Sequence, residues 1–217
     1  KARSRMVTDW LDARRAGSAV MLASRRGDVD ALNKAARTVL RAEGTIGPDQ
    51  ILVAGQGFAD GDVVVALRND RRLGLLNGTR AVVEQVDTDH QVIRCRAEDG
   101  QAVNVPFGYV ADGHLAHGYA MTIHKSQGAT YDRCLILAGD QLTKEPAYTA
   151  MSRGRIGNTM YLVDNNQRET EAHADEIEPS LVDRVRASIS RTGAQSMAIE
   201  QTAELGDDVD TDVGMDL

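Results

Sequence analysis

The hydrophobic period of this sequence changes twice, and that change limits the folds open to it. Across residues 58–105 the chain breaks into four short β-type runs, DVVVAL, TRAVVEQV, QVIRCRA and AVNVPF. Between them stand NDRR, Asn77-Gly78, DTDH and Asp99-Gly100, the punctuation of antiparallel hairpins. The flanks follow another pattern. SAVMLASRR (18–26) reads as a short buried strand ending in two arginines. GDVDALNKAARTVLRAEG (27–44) reads as an amphipathic helix with Asp28 as N-cap, Val29, Leu32, Ala36, Val39 and Leu40 at helical spacing, and Gly44 as its stop. Further on, HGYAMTIH, DRCLILAG and NTMYLVD read as buried strands, and TKEPAYTAMSRG as a helix capped by Thr143. The sequence predicts an α/β domain with a parallel sheet, interrupted by a small antiparallel β-barrel or meander. The predicted boundaries are 1–57 and 108–167 for the α/β parts, 58–107 for the insertion, and 168–217 for an acidic C-terminal helix (about 180–191) and a disordered tail.

Charge follows the same division. The net charge is −7, but residues 164–217 hold 14 acidic residues against 4 arginines, which leaves the body mildly basic. Such a body permits nucleic-acid binding without demanding it, because phosphate affinity depends on where cations cluster. The tail reads as a solubilising linker, with DNA mimicry as the alternative. At 217 residues there is room for real cores, and no apolar run approaches the roughly 18 residues of a membrane span. No signal peptide is visible, so a cytoplasmic protein is expected, and the start at Lys1 fits an excised piece. Cys95 and Cys134 lie in strand-like runs without metal-ligand spacing, and read as reduced core thiols.

Three polar clusters follow strand or helix ends in the α/β portion: Arg25-Arg26, the run His124, Lys125, Ser126, Gln127, and Ser152-Arg153-Gly154-Arg155. Taken singly, the first reads as a solvated strand end, and the last as charges that complement a helix dipole. Together they suggest an anion site at the C-terminal edge of a parallel sheet, with HKSQG aiming N–H groups and a lysine at a phosphate.

The combination also carries a family resemblance. YAMTIHKSQGAT resembles motif V and YTAMSRGR motif VI of superfamily 1 helicases of the RecD-like branch, and LASRRGDVDALNKAAR resembles the segment around motif IV. FADGDVVVALRNDRRLGLLNGTRAVVEQVD resembles the start of the SH3-like insertion in the second motor domain of that branch. The resemblance covers about residues 18–163 in order. HKSQGAT and MSRGR resemble most closely the TraI/TrwC-type (MobF) conjugative relaxase–helicases, with Thr130 where the RecD-like pattern usually has Glu for ribose contact.

The resemblance implies a RecA-like second motor domain with an SH3-like insertion, with ATP and Mg²⁺ bound mainly by a first motor domain. Arg153 would be the arginine finger and Arg25 a second γ-phosphate contact, with Arg26 as the alternative. Gly128, Thr130 and Arg155 would lie at the nucleotide. Thr122, His124, Lys125, Ser126 and Gln127 would touch single-stranded DNA, with Gly128 letting the motif V loop come close. The sequence itself lacks the first domain's motifs. None of the four lysines follows a glycine as in a P-loop, and Asp175-Glu176 lies in polar EAHADEIE rather than at the end of an apolar strand. The five histidines do not form a relaxase metal cluster. The chain alone is expected to be inactive as an ATPase. The partners implied are single-stranded DNA, the first RecA-like domain and a relaxase domain of the same polypeptide. Two alternatives stay open: a RecD-like repair helicase domain, and a motor-dead interaction module.

Overall fold

The computed structural model describes residues 1–53, 55–164 and 180–192. Two sheets organise it. The first is parallel, in the order β11-β10-β1-β9, built from β1 (Ala19–Ala23), β9 (Ala120–Thr122), β10 (Tyr131–Ala138) and β11 (Gly154–Leu162). β1 is buried at every position, as a central strand covered on both faces must be. On one face lie α1 (Ala2–Ala16) and α2 (Arg26–Ala42), which bury Trp10, Leu32, Ala36 and Leu40 against Met21 and Leu135. On the other lie α4 (Lys144–Met151) and α5 (Leu181–Ser190), which bury Ala147, Ala150 and Val185 with Leu22, Cys134 and Ile136. α2 ends where Gly44 takes φ 69°, as expected of the glycine.

The second sheet is antiparallel, in the order β7-β6-β5-β4-β8, with β7 and β8 as its edges. β4 (Val63–Ala66), β5 (Arg80–Asp87), β6 (Val92–Ala97) and β7 (Ala102–Pro106) are the four runs expected. Burial alternates along β6 and β7, so one face packs on Phe58, Val64, Ile93 and Val105 and the other meets solvent. A short helix α3 (Phe107–Ala111) and β8 (Leu115–His117) follow, and a separate hairpin of β2 (Ile51–Val53) and β3 (Gln56–Phe58) precedes.

Three details depart from the sequence reading. α1 was not expected. HGYAMTIH is two strands rather than one, because the chain leaves the antiparallel sheet after β8 and enters the parallel sheet at β9. Gly118, between them, passes so near the Val64 backbone that an added Cβ would sit 3.0 Å from it. Asp28 is not the N-cap of α2. Arg25 is, and Asp28 lies in the first turn, where it accepts from Arg3 of α1 at 2.6 Å. Cys95 and Cys134 are free and buried. The C-terminal helix forms at Leu181–Ser190, and the expected disordered tail falls outside the described residues. No helix among those described is long and apolar enough to cross a membrane.

Candidate functional site

The parallel register places the expected site residues at two opposite edges of one sheet. Ala23 stands level with Thr122 and with Leu137, so the residues after β1 and β9 emerge at the C-terminal edge. Gly154 stands level with Tyr131, so Arg153 and Arg155 lie at the N-terminal edge. Arg25 and Arg153 are thus separated by roughly 25 Å along the strands, at about 3.3 Å per residue. The two arginines cannot meet one phosphate, and the expectation that Arg25 is a second γ-phosphate contact beside Arg153 is corrected on that ground. The picture of all three clusters meeting on one edge falls with it.

At the C-terminal edge, a cleft of ≈ 560 Å³ opens between the two sheets, lined among others by Arg26, Asn33, Leu67, Thr122, His124 and Lys125. Thr122 shapes the floor. Its hydroxyl accepts from the Lys125 N–H and starts a 3-10 turn, His124–Ser126. Burial, and then the nearby Arg26 charge, lower the pKa of Lys125. Two cations therefore face one space, which Asp30 of α2 also lines, and neither makes an ion pair there among the described residues. The Arg25 side chain is tied elsewhere, donating from Nε to Gln141 at 2.7 Å. The cleft residue of the pair is Arg26.

Ser126 is also corrected as a contact. It is fully buried, and its hydroxyl donates to the Ile123 carbonyl at 2.7 Å, so it locks the turn from within. Gln127 is exposed just past the turn, between the two edges.

At the N-terminal edge the cations are held. Arg153 donates from Nη1 to the Ala129 carbonyl at 3.1 Å, from Nε to the Thr149 carbonyl at 3.1 Å and from Nη2 to the Ser152 hydroxyl at 2.9 Å. The Arg153 carbonyl accepts from the Tyr131 N–H. Arg155 pairs with Asp132 at 2.6 Å. That bond, with donation from the Ser18 N–H and hydroxyl, holds the Asp132 pKa down at about 2. Thr130 is exposed beside them. Gly128 takes φ 85°, while a Cβ there would meet nothing within 4 Å. Backbone conformation, not close approach within this chain, requires the glycine.

Two features of the cleft escaped the sequence reading. Asn33, on the buried face of α2, donates to the Ala120 carbonyl and accepts from the Ala120 N–H, which clamps β9 to the helix. A polar residue inside an otherwise apolar helical stripe was the available signal. The Asn77-Gly78 turn of the antiparallel sheet also sits on the 3-10 turn, with the Gly78 Cβ direction 3.8 Å from the Lys125 carbonyl.

No family model matches the sequence. The chain is 36% identical over 165 residues to the conjugal transfer protein TraA of Rhizobium radiobacter, covering 74% of this chain and 15% of that protein. It is 32% identical over 118 residues to the ATP-dependent DNA helicase Pif1 of Bdellovibrio bacteriovorus, covering 48% of this chain and 26% of that one. Its fold is like that of the Pif1 helicase from Bacteroides in complex with ADP-AlF3 and ssDNA. The TM-score is 0.51 at 18% identity, with 87% of this chain and 46% of the other covered. The chain thus spans only a small part of the curated relatives it matches. The chain is homologous to the conjugal transfer protein TraA and, over a shorter stretch, to a Pif1 helicase, and it shares the fold of the Pif1 structure.

Proposed function

We propose that the chain is the second motor domain of an ATP-dependent DNA helicase of the conjugative relaxase–helicase type. Its two divisions, 1–57 and 108–167, form the RecA-like part, and the antiparallel unit is an SH3-like insertion. One observation carries the reading: two sets of cations occupy opposite edges of one parallel sheet, and a short connection without an α-helix, residues 123–130, runs from one edge to the other. Parallel strands are usually joined by a dozen or more residues, most often through a helix. Here the link is shorter, and Ile123 at its start and Ser126 within it are buried, beside α4.

In this reading the cleft holds single-stranded DNA. Arg26, Lys125 and His124 meet its phosphates or bases, and Thr122 sets the turn. Arg153 faces the γ-phosphate of ATP held, with Mg²⁺, mainly by a first RecA-like domain. Its guanidinium is already aimed by three hydrogen bonds, so charge on the phosphate meets a preorganised donor. Gly128, Thr130 and Arg155 border the same edge. The link between the edges transmits nucleotide state to the strand.

The test is direct. The purified chain should bind a labelled oligo-dT at about 50 mM salt and weaken steeply as salt rises, as phosphate neutralisation requires. The Arg26→Ala, Lys125→Ala double variant should lose that binding. No salt-dependent binding at all would overturn the strand cleft. Robust ATP hydrolysis by the chain alone, abolished by Arg153→Ala, would overturn the division of labour between domains.

A further inference from the structure

The joint between the two sheets is made chiefly of charge. The three apolar clusters lie one on each face of the parallel sheet and one inside the antiparallel unit, with Val63 of β4 packed across against the first. What crosses between sheets is centred on Asp62, fully buried just before β4. Its carboxylate receives a two-pronged grip from Arg37 of α2, Nε to Oδ1 and Nη2 to Oδ2, both at 2.9 Å. The Tyr119 hydroxyl donates to Oδ1, and the Ala59 N–H to Oδ2 at 2.8 Å. Tyr119 stands at the point where the chain passes from β8 to β9, so the carboxylate holds the crossing itself.

A second tie lies nearby. Arg80 of β5 donates from Nε to the Gly118 carbonyl at 2.8 Å, and its guanidinium lies 5.4 Å from the centre of the Tyr131 ring on β10. His117 flanks the group, donating from Nε2 to the Gly57 carbonyl at 3.0 Å, with its ring stacked on Tyr119. Burial lowers the His117 pKa, which favours the neutral ring beside the ion pair.

Asp62 in FADGD, Arg37 in LNKAAR and Tyr119 in HGYAMT come from three separated stretches of sequence. None has a part in the chemistry assigned above. A buried ion pair is a poor route to stability, since desolvation offsets the attraction, but a bidentate carboxylate–guanidinium pair fixes direction as apolar packing does not. We propose that Asp62 is the positioning residue of the strand cleft. Through Arg37 and Tyr119 it fixes the angle between the two sheets, and so the width of the cleft that the Arg26 and Lys125 cations line. The proposal rests on the reading that this cleft takes single-stranded DNA.

The test separates the joint from the ligand. Spin labels are placed at exposed Thr8 on α1 and exposed Gln85 on β5. The distance distribution between them is measured in the parent, in Asp62→Asn and in Lys125→Ala, alongside far-UV circular dichroism and oligo-dT affinity. The parent should give one narrow distance. Asp62→Asn should keep its secondary structure and broaden or shift that distance. Its affinity should fall roughly tenfold, as it would if about a tenth of the molecules kept the binding arrangement. Lys125→Ala should lose affinity with the narrow distance intact. A folded Asp62→Asn with the parental distribution overturns the proposal. If that variant does not fold, Arg37→Lys, which keeps the charge and loses the fork, is read the same way. Failure of both to fold also overturns it, because each sheet is held here to keep its own core. If the parent does not bind oligo-dT, the strand reading falls, while the distances still decide whether Asp62 fixes the joint.

Discussion

The two edges of the parallel sheet treat positive charge in opposite ways. At the C-terminal edge, Arg26, His124 and Lys125 have no hydrogen-bonding or carboxylate partner for their side chains among the described residues, and Lys125 titrates low in part because Arg26 is near. At the N-terminal edge, Arg153 is tied by backbone carbonyls and a hydroxyl, and Arg155 by Asp132. Free cations suit a polyanion that slides, since each phosphate can be exchanged for the next. A fixed guanidinium suits one phosphate in one position, where reorganisation would cost rate. The contrast teaches that the amount of charge is a poorer guide than how firmly it is held.

Several substitutions would break or sharpen that contrast. The largest effect is expected from Arg153→Ala in a motor containing both RecA-like domains. If Arg153 acts as the proposed arginine finger, turnover should fall by about 10³-fold or more, with single-strand affinity unchanged. A parallel loss of affinity would show that the edges are not separate. Next comes Asn33→Leu, which leaves the Ala120 N–H and carbonyl unpaired, at about 1–3 kcal/mol per buried group in urea unfolding. It should also weaken DNA binding by releasing β9, and so break the floor of the cleft. Lys125→Ala should weaken oligo-dT binding by about tenfold and reduce the salt slope by about one, without changing unfolding. Gly128→Ala should cost about 1 kcal/mol, a drop of a few degrees in Tm, because only the backbone conformation resists it. The smallest effect is one of pH. The folded-state pKa of Asp132 is depressed from the usual 3.8 to about 2, chiefly by Arg155. Its contribution to stability is therefore present above about pH 4 and lost as pH falls through about 2. Asp132→Asn should flatten the acid-unfolding curve in that window and leave the neutral side alone.

Much of this was legible in the sequence because local pattern decided it. β1, α2, the four antiparallel runs, β10 and α4 follow from period, punctuation and caps. α1 was not, because its buried residues Met6, Val7, Trp10 and Leu11 sit in an otherwise charged segment and meet their partners only in the tertiary fold. The division of HGYAMTIH between two sheets was illegible for a related reason. Its alternation is continuous, and only the Val64 backbone against Gly118 marks the change of sheet. The expected site residues were legible as a set of residue types, while their geometry was not. Spacing showed that Arg25 and Arg153 follow regular elements, and it could not show that one stands at a strand's end and the other at a strand's beginning. Nor could it tell Arg25, occupied with Gln141, from Arg26 in the cleft.

The link between the edges has one more consequence, which concerns its length. Thr122 is level with Leu137, and β10 begins below at Tyr131, a descent of about 20 Å, with two strand spacings of about 4.8 Å to cross on the way. A fully stretched chain between Thr122 and Tyr131 reaches only about 30 Å, and a 3-10 turn consumes part of that. The span is about 22 Å, so only a few ångströms of slack are left. A larger displacement of the loop at one end must appear at the other or unwind the turn around Ser126. One residue inserted after Gln127 should loosen the tether and leave both ends chemically intact but mechanically strangers.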